Sequence, residues 1–233
     1  MKRYKTSEHT KLGWYLGILA VSFELMIGIT YVFSIIKPDR IFGYITLVEG
    51  VFALTGLLLI DVIYRHSFQL KPDFFKPPET ETFWPRTIYI LGALLILQVV
   101  LQFPLTVRTW HKALAIVFAG VSEELFFRGL LISPVIRLGE NDHKFKIKKF
   151  GKRNEYYLEI SFIEIFGITL SSFFFMMLHV NYYDNIRLMI SVFLSGVVLG
   201  LFYQKYRDLT ANILAHFILN TIVTVQVFGQ LLF

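Results

Sequence analysis

The chain has 233 residues, of which 55% are hydrophobic, and its mean hydropathy is +0.58. That composition excludes an ordinary soluble domain, which needs much less apolar surface to fill one core. The net charge is +6 and cysteine is absent, which excludes disulfides, thiolate metal sites and a cysteine nucleophile. Apolar stretches of about 20 residues predict an all-α fold, a polytopic transmembrane helical bundle.

Apolar segments recur along the whole chain, and we predict about seven membrane segments, or eight at most. The seven segments are Leu12–Ile36, Ile41–Ile60, Thr87–Leu105, Trp110–Ile136, Leu158–His179, Ile186–Tyr203 and Leu209–Phe233. A multi-pass protein of the cell membrane is therefore expected.

Two polar connections separate these segments, Lys71–Pro85 with four prolines and Arg137–Tyr157 with seven Lys or Arg residues. Both are typical of loops outside the membrane. Most Lys and Arg residues fall on the side of the N-terminus, so the positive-inside rule predicts a cytoplasmic N-terminus. The basic loop could bind anionic lipid headgroups or an acidic partner, although topology alone accounts for its charge.

The fourth segment carries Glu123, Glu124 and Arg128 in its interior. Each charge costs about 2.5–3.5 kcal/mol at the centre of a bilayer, so a gain in function or structure must offset it. Glu124 and Arg128 are four residues apart and share a helix face, whereas Glu123 is turned about 100° away. The spacing favours Glu123 as a general base, supported by a Glu124–Arg128 pair. The alternative is a purely structural ion network of all three.

Two later segments contribute histidines, His179 at the end of the fifth and His216 inside the seventh. Either could be a hydrogen-bonded packing residue. Asn220 follows His216 by four residues, so the two side chains can direct donors toward one point, as an oxyanion hole requires. Hydrogen bonding between helices is the alternative for this pair. At 1.5 Å per residue, Glu123 lies about 20 Å and His216 about 10 Å from the inner ends of their segments, a mismatch that staggered helices would remove.

The sixth segment contains Gly196 and Gly200 in a G-x-x-x-G pattern. Small residues at this spacing permit close contact between membrane helices. We therefore expect this segment to draw its neighbours together around a shared site.

Three motifs occur in order on separate apolar segments: Glu123-Glu124-x-x-x-Arg128, Phe175-x-x-x-His179 and His216-x-x-x-Asn220. Together they resemble the signature of the CAAX prenyl protease and bacteriocin-processing family of intramembrane proteases, also called the Abi family. The resemblance covers roughly Trp110 to Asn220. It implies an intramembrane endopeptidase in which Glu123 and His179 activate a water, while His216 and Asn220 stabilise the tetrahedral oxyanion.

The resemblance also implies an organisation and a substrate class, and it leaves the use of a metal open. We expect a single integral membrane domain over 1–233, with a catalytic core of about 110–220 and an N-terminal helical shell over 12–105. The implied partners are a peptide or protein substrate, prenylated at a CAAX-type end or a bacteriocin or leader precursor, and membrane lipids, with no nucleic acid. No cofactor is favoured, although Zn²⁺ could be held by Glu123, Glu124, His179 and His216. The H-E-x-x-H arrangement of helical zinc proteases is missing.

Two other classes of function remain open from the sequence. A non-enzymatic immunity or scaffold protein of the same fold could keep the motif residues for structure. An ion or proton transporter could use intramembrane Glu and His residues as relay sites. The pairing of Asn220 with His216 and the lack of paired broken helices count against a transporter.

Overall fold

A computed structural model describes residues 80–101, 110–139, 142–148, 156–179 and 185–232. The first two predicted membrane segments lie outside the described residues. The helices are α1 (Thr80–Leu101), α2 (Trp110–Glu124), a π-helix (Leu125–Ile132), α3 (Ser133–Leu138), α4 (Phe162–Met177), α5 (Ile186–Tyr206) and α6 (Leu209–Leu232). The strands are β1 (Lys144–Lys148) and β2 (Tyr156–Ser161).

Three of the described helices are long and apolar enough to cross a membrane, over Glu81–Leu101, Ile186–Tyr206 and Leu209–Gln226. Phe162–Met177 is a shorter apolar helix. These helices confirm a helical membrane protein. The count of seven or eight segments, and the division into shell and core, stay predictions because 1–79 lie outside the described residues.

The described chain is mostly helical, as predicted, but two strands were not predicted: β1 and β2 form an antiparallel hairpin at the basic loop. Phe145 stands opposite Ile160, and Lys146 stands opposite Glu159. Apolar and basic residues alternate along β1, which is the period of a strand with two different faces. The fifth segment therefore becomes helical only at Phe162, four residues later than predicted.

A capping box starts α4 at this point and explains the boundary. The Ser161 hydroxyl accepts a hydrogen bond from the Glu164 amide at 3.2 Å, and Glu164 Oε2 accepts one from the Ser161 amide at 2.7 Å. The two residues satisfy amide groups that the first helical turn leaves without partners.

Other predicted boundaries shift by a few residues. Helix α1 begins at Thr80, so Pro85 lies inside a helix rather than in the preceding loop. The fourth segment stays helical to Leu138, and the sixth continues to Tyr206, where Arg207 in the left-handed conformation (φ 54°) ends it.

Glycines bring the helices that carry the polar residues into close contact. A Cβ atom on Gly196 would lie 3.0 Å from Ser172 Cβ, and one on Gly200 would lie 2.8 Å from Ile168 Cγ2. Both neighbours belong to α4, so the predicted close contact of the G-x-x-x-G pattern is confirmed. On α2, a Cβ on Gly120 would lie 2.9 Å from the Phe217 amide nitrogen of α6. The whole π-helix is buried within the core that these contacts create.

Candidate active site

Glu124, at the end of α2, is a fully buried carboxylate with three polar partners. Its Oε1 atom lies 3.0 Å from Arg128 Nη1 and 3.0 Å from His216 Nδ1. Its Oε2 atom accepts a hydrogen bond from Asn212 Nδ2 at 3.2 Å. The predicted Glu124–Arg128 pair is therefore formed, and two side chains of α6 complete its surroundings.

Main-chain carbonyl groups of α5 hold the other side of this network. Arg128 Nη2 donates to the Gly196 carbonyl at 3.1 Å, and Asn212 Nδ2 donates to the Leu199 carbonyl at 2.9 Å. The Arg128 guanidinium also lies over the Phe175 ring, 5.0 Å from its centroid. A single polar network thus joins α2, the π-helix, α5 and α6.

Glu123 occupies a different environment although it is the adjacent residue. Its Oε1 atom lies 3.8 Å from His179 Nε2, and its Oε2 atom lies 3.8 Å from His216 Nε2. Its side chain is 21% exposed, whereas that of Glu124 is completely buried. A separation of 3.8 Å exceeds a direct hydrogen bond, and a water placed beside both atoms can contact each of them.

The partners of the Nδ1 atoms fix how the two imidazole rings face Glu123. His179 Nδ1 lies 2.7 Å from the Phe175 carbonyl, which can only accept, so this nitrogen carries a proton. His216 Nδ1 likewise donates to the Glu124 carboxylate. In the neutral form of either ring, Nε2 therefore directs a lone pair toward Glu123.

Asn220 lies on α6 one turn beyond His216, and its amide contacts the backbone of α2. Its Nδ2 atom donates to the Ile116 carbonyl at 2.6 Å. Within the described part of the chain, Asn220 makes no hydrogen bond to His216 or Glu123. The second N–H of the amide is left for another acceptor, and the role of Asn220 in an oxyanion hole stays a prediction.

Asn212 was not among the predicted site residues, although it contacts Glu124 directly. It precedes His216 by four residues and so shares the His216 face of α6. Asn220 was identified because it follows His216 by four residues. Asn212 precedes His216 by the same spacing, so the same pattern could have identified it.

The described residues contain no group of three or more His, Asp or Glu side chains arranged to hold a metal ion. Both oxygens of Glu124 are engaged by Arg128, His216 and Asn212, so this residue could bind zinc only by losing those contacts. Glu124 therefore does not fit a zinc ligand as it stands, and zinc dependence stays an untested alternative.

Comparison with known proteins adds one match. A family model described as "Type II CAAX prenyl endopeptidase Rce1-like" matches residues 104–222, about half of the chain. No curated protein and no solved structure matches this chain. The matched range runs from before α2 to beyond Asn220 and includes all three polar motifs, as their resemblance to CAAX prenyl proteases predicted. The chain therefore belongs to the Rce1-like family of type II CAAX prenyl endopeptidases.

Proposed function

We propose that this chain is an intramembrane endopeptidase in which Glu123 and His179 activate a water to hydrolyse a peptide bond near the membrane. The observation that supports this best is the position of Glu123, each of whose oxygens faces an imidazole Nε2 atom at 3.8 Å. A base beside an acceptor nitrogen can hold a water by both of its hydrogens.

The first step uses Glu123 and His179. A water between them donates one hydrogen to the Glu123 carboxylate and the other to His179 Nε2, so its lone pair is free to attack. As the water oxygen adds to the scissile carbonyl carbon, Glu123 takes the first proton. It then passes this proton to the leaving amine, and the carboxylate is regenerated.

The second requirement is a donor for the oxyanion that forms on the carbonyl oxygen. Because His216 Nδ1 keeps its proton and donates a hydrogen bond to Glu124, protonation of the ring would place an N–H at Nε2. This N–H would face Glu123 and could donate to an oxyanion there. The negative charge of Glu124 would balance the resulting imidazolium, and the free N–H of Asn220 would be the second donor. This chemistry uses no metal.

We propose a prenylated CAAX-type peptide as the substrate, which the family description supports. A bacteriocin or leader precursor is the second substrate class. Membrane lipids surround the protein, and a nucleic acid is not an expected partner.

The decisive experiment is cleavage of a quenched farnesylated CAAX peptide by detergent-purified protein. Wild type is expected to cleave, and Glu123→Gln is expected to lose at least about 100-fold in kcat because the base is gone. Glu159→Gln, the same change in the hairpin, is the matched control and should retain activity. A strong chelator should have no effect.

Two results would change the proposal. Inhibition by the chelator that added Zn²⁺ reverses would replace the glutamate mechanism by a metal-dependent one. Failure of well-folded wild type to cleave this peptide and a panel of precursor peptides would favour an immunity or scaffold protein.

A further inference from the structure

Asn212 is a completely buried amide that contacts Glu124, the carboxylate that accepts a hydrogen bond from His216. Its Nδ2 atom donates to both Glu124 Oε2 and the Leu199 carbonyl, at 3.2 Å and 2.9 Å. Its Oδ1 atom is buried and has no hydrogen-bond partner among the described residues.

This arrangement is expensive for a buried residue in the first turn of an apolar helix. A buried acceptor without a partner carries a desolvation cost, and an apolar residue of similar size would avoid it. The hydrogen bonds that Nδ2 donates must therefore offset this cost. Of its two acceptors, Leu199 O belongs to the backbone of a helix, whereas the Glu124 carboxylate is a movable side chain that can be held in more than one orientation.

The orientation of Glu124 decides the orientation of His216. Oε1 of Glu124 must reach both Arg128 Nη1 and His216 Nδ1, each at 3.0 Å. Asn212 holds the other oxygen, so the carboxylate has donors on both of its atoms and cannot turn without breaking one of them. Rotation of the carboxylate would release the His216 ring from the position in which Nε2 faces Glu123.

We infer that Asn212 is a positioning residue, which orients the Glu124 carboxylate and through it the His216 imidazole. This inference rests on the proposed protease function for its effect on catalysis. It predicts a residue that contacts no substrate but whose loss slows turnover.

The main test is Asn212→Leu, which keeps the branched shape of the side chain and removes the donor. We expect kcat for the farnesylated peptide to fall about 10- to 100-fold, the effect of one hydrogen bond to a charged group, while KM changes less than about twofold. Thr224→Val on the same helix is the matched control. Thr224 is also buried, and its Oγ1 atom has no hydrogen-bond partner among the described residues, so kcat should not change.

Asn212→Asp separates positioning from general packing. An ionised carboxylate in place of the amide would repel Glu124 Oε2, whereas a protonated one could donate a hydrogen bond to it. The kcat of this variant relative to wild type should therefore rise as the pH is lowered. A loss caused only by poorer packing would give a ratio that does not depend on pH.

A readout without substrate keeps this inference separate from the proposed function. In protein labelled with ¹⁵N-histidine, with the His216 signals assigned from His216→Gln, Asn212→Leu should shift the His216 Nδ1 resonance and Thr224→Val should not. If wild type cleaves but Asn212→Leu keeps its kcat and its His216 resonances, Asn212 does not position the site. If wild type cleaves nothing, the protease proposal falls, and the histidine spectra alone decide whether Asn212 orients His216.

Discussion

Glu123 and Glu124 are chemically identical neighbours, and burial gives them different tasks. Glu124 is sealed among Arg128, His216 and Asn212, where its charge is balanced and its oxygens are occupied. Glu123 is partly exposed and lies 3.8 Å from two histidines, and a water beside these atoms can contact each of them. The contacts of Glu124 therefore support the structure of the site, and the position of Glu123 supports its proposed role as the base.

Glu124→Gln should destabilise the protein much more than Glu123→Gln does. It leaves the buried Arg128 guanidinium without its counter-charge, which costs about 3–5 kcal/mol when one partner of a buried pair is removed. Thermal unfolding in detergent measures the difference. The double change Glu124→Gln with Arg128→Met should recover much of the lost stability without restoring cleavage, and equal unfolding temperatures for both single Gln variants would contradict this assignment.

The spacing of residues in the sequence predicts only part of this site. Glu124 and Arg128 could be paired because positions four apart meet on any helical turn. The contact of Asn212 with Glu124 joins residues on different helices, and the spacing of Asn212 from His216 does not show which residue of another helix it faces. The interaction of Asn220 with the Ile116 carbonyl was likewise unpredictable, because it depends on how closely α6 approaches the backbone of α2.

At the scale of elements, the least predictable feature is the π-helix that follows Glu124. All of its residues are buried, so the pattern of apolar side chains has no period that could distinguish a wider turn from an α-helix. The hairpin was predictable, since Lys144 to Lys148 alternate between basic and apolar side chains. Membrane topology alone accounts for the high positive charge of the surrounding loop, so the charge does not indicate a strand.

Gly120→Ala should lower both stability and turnover because it forces α2 away from α6. The new Cβ would lie 2.9 Å from the Phe217 amide nitrogen and 3.1 Å from the His216 carbonyl carbon, and neither backbone atom can move alone. Overpacking of this kind costs about 1–3 kcal/mol. Thermal unfolding and peptide cleavage should both report the change.

Gly92→Ala on α1 is the matched control, since a Cβ there meets no atom within 4 Å. It should leave kcat unchanged. If Gly120→Ala behaves in the same way, α2 and α6 do not depend on this close contact for the geometry of the site.

At the scale of the whole molecule, composition was sufficient to predict a helical membrane protein, but the relative heights of its helices were not predictable. Counting residues at the rise of an α-helix predicts depths for Glu123 and His216 that differ by about 10 Å. The structure brings their side chains within 3.8 Å of each other. Tilt, stagger and the π-helix all affect such heights, and none of them is encoded in the length of one segment.

We propose that the N-terminus and the basic hairpin are cytoplasmic, as the distribution of Lys and Arg predicts. The chain contains no cysteine, so one introduced thiol can be labelled without background. Asp142→Cys, at an exposed position before β1, should react with a membrane-impermeant maleimide in inside-out vesicles only. Arg187→Cys, at the exposed start of α5, should react only in right-side-out vesicles, and the reverse pattern would invert the topology.

The acceptors that α5 offers to the site are carbonyl groups of its backbone, at Gly196 and Leu199. Every amino acid supplies the same carbonyl, so no single codon change can delete either acceptor. Systematic mutagenesis of α5 would therefore report the effects of changed side chains, such as the contact that a Cβ on Gly196 would make with Ser172. Such a screen would not detect the hydrogen bonds that the α5 carbonyl groups accept from Arg128 and Asn212. Replacing an amide bond of the helix by an ester would be needed to measure their effect.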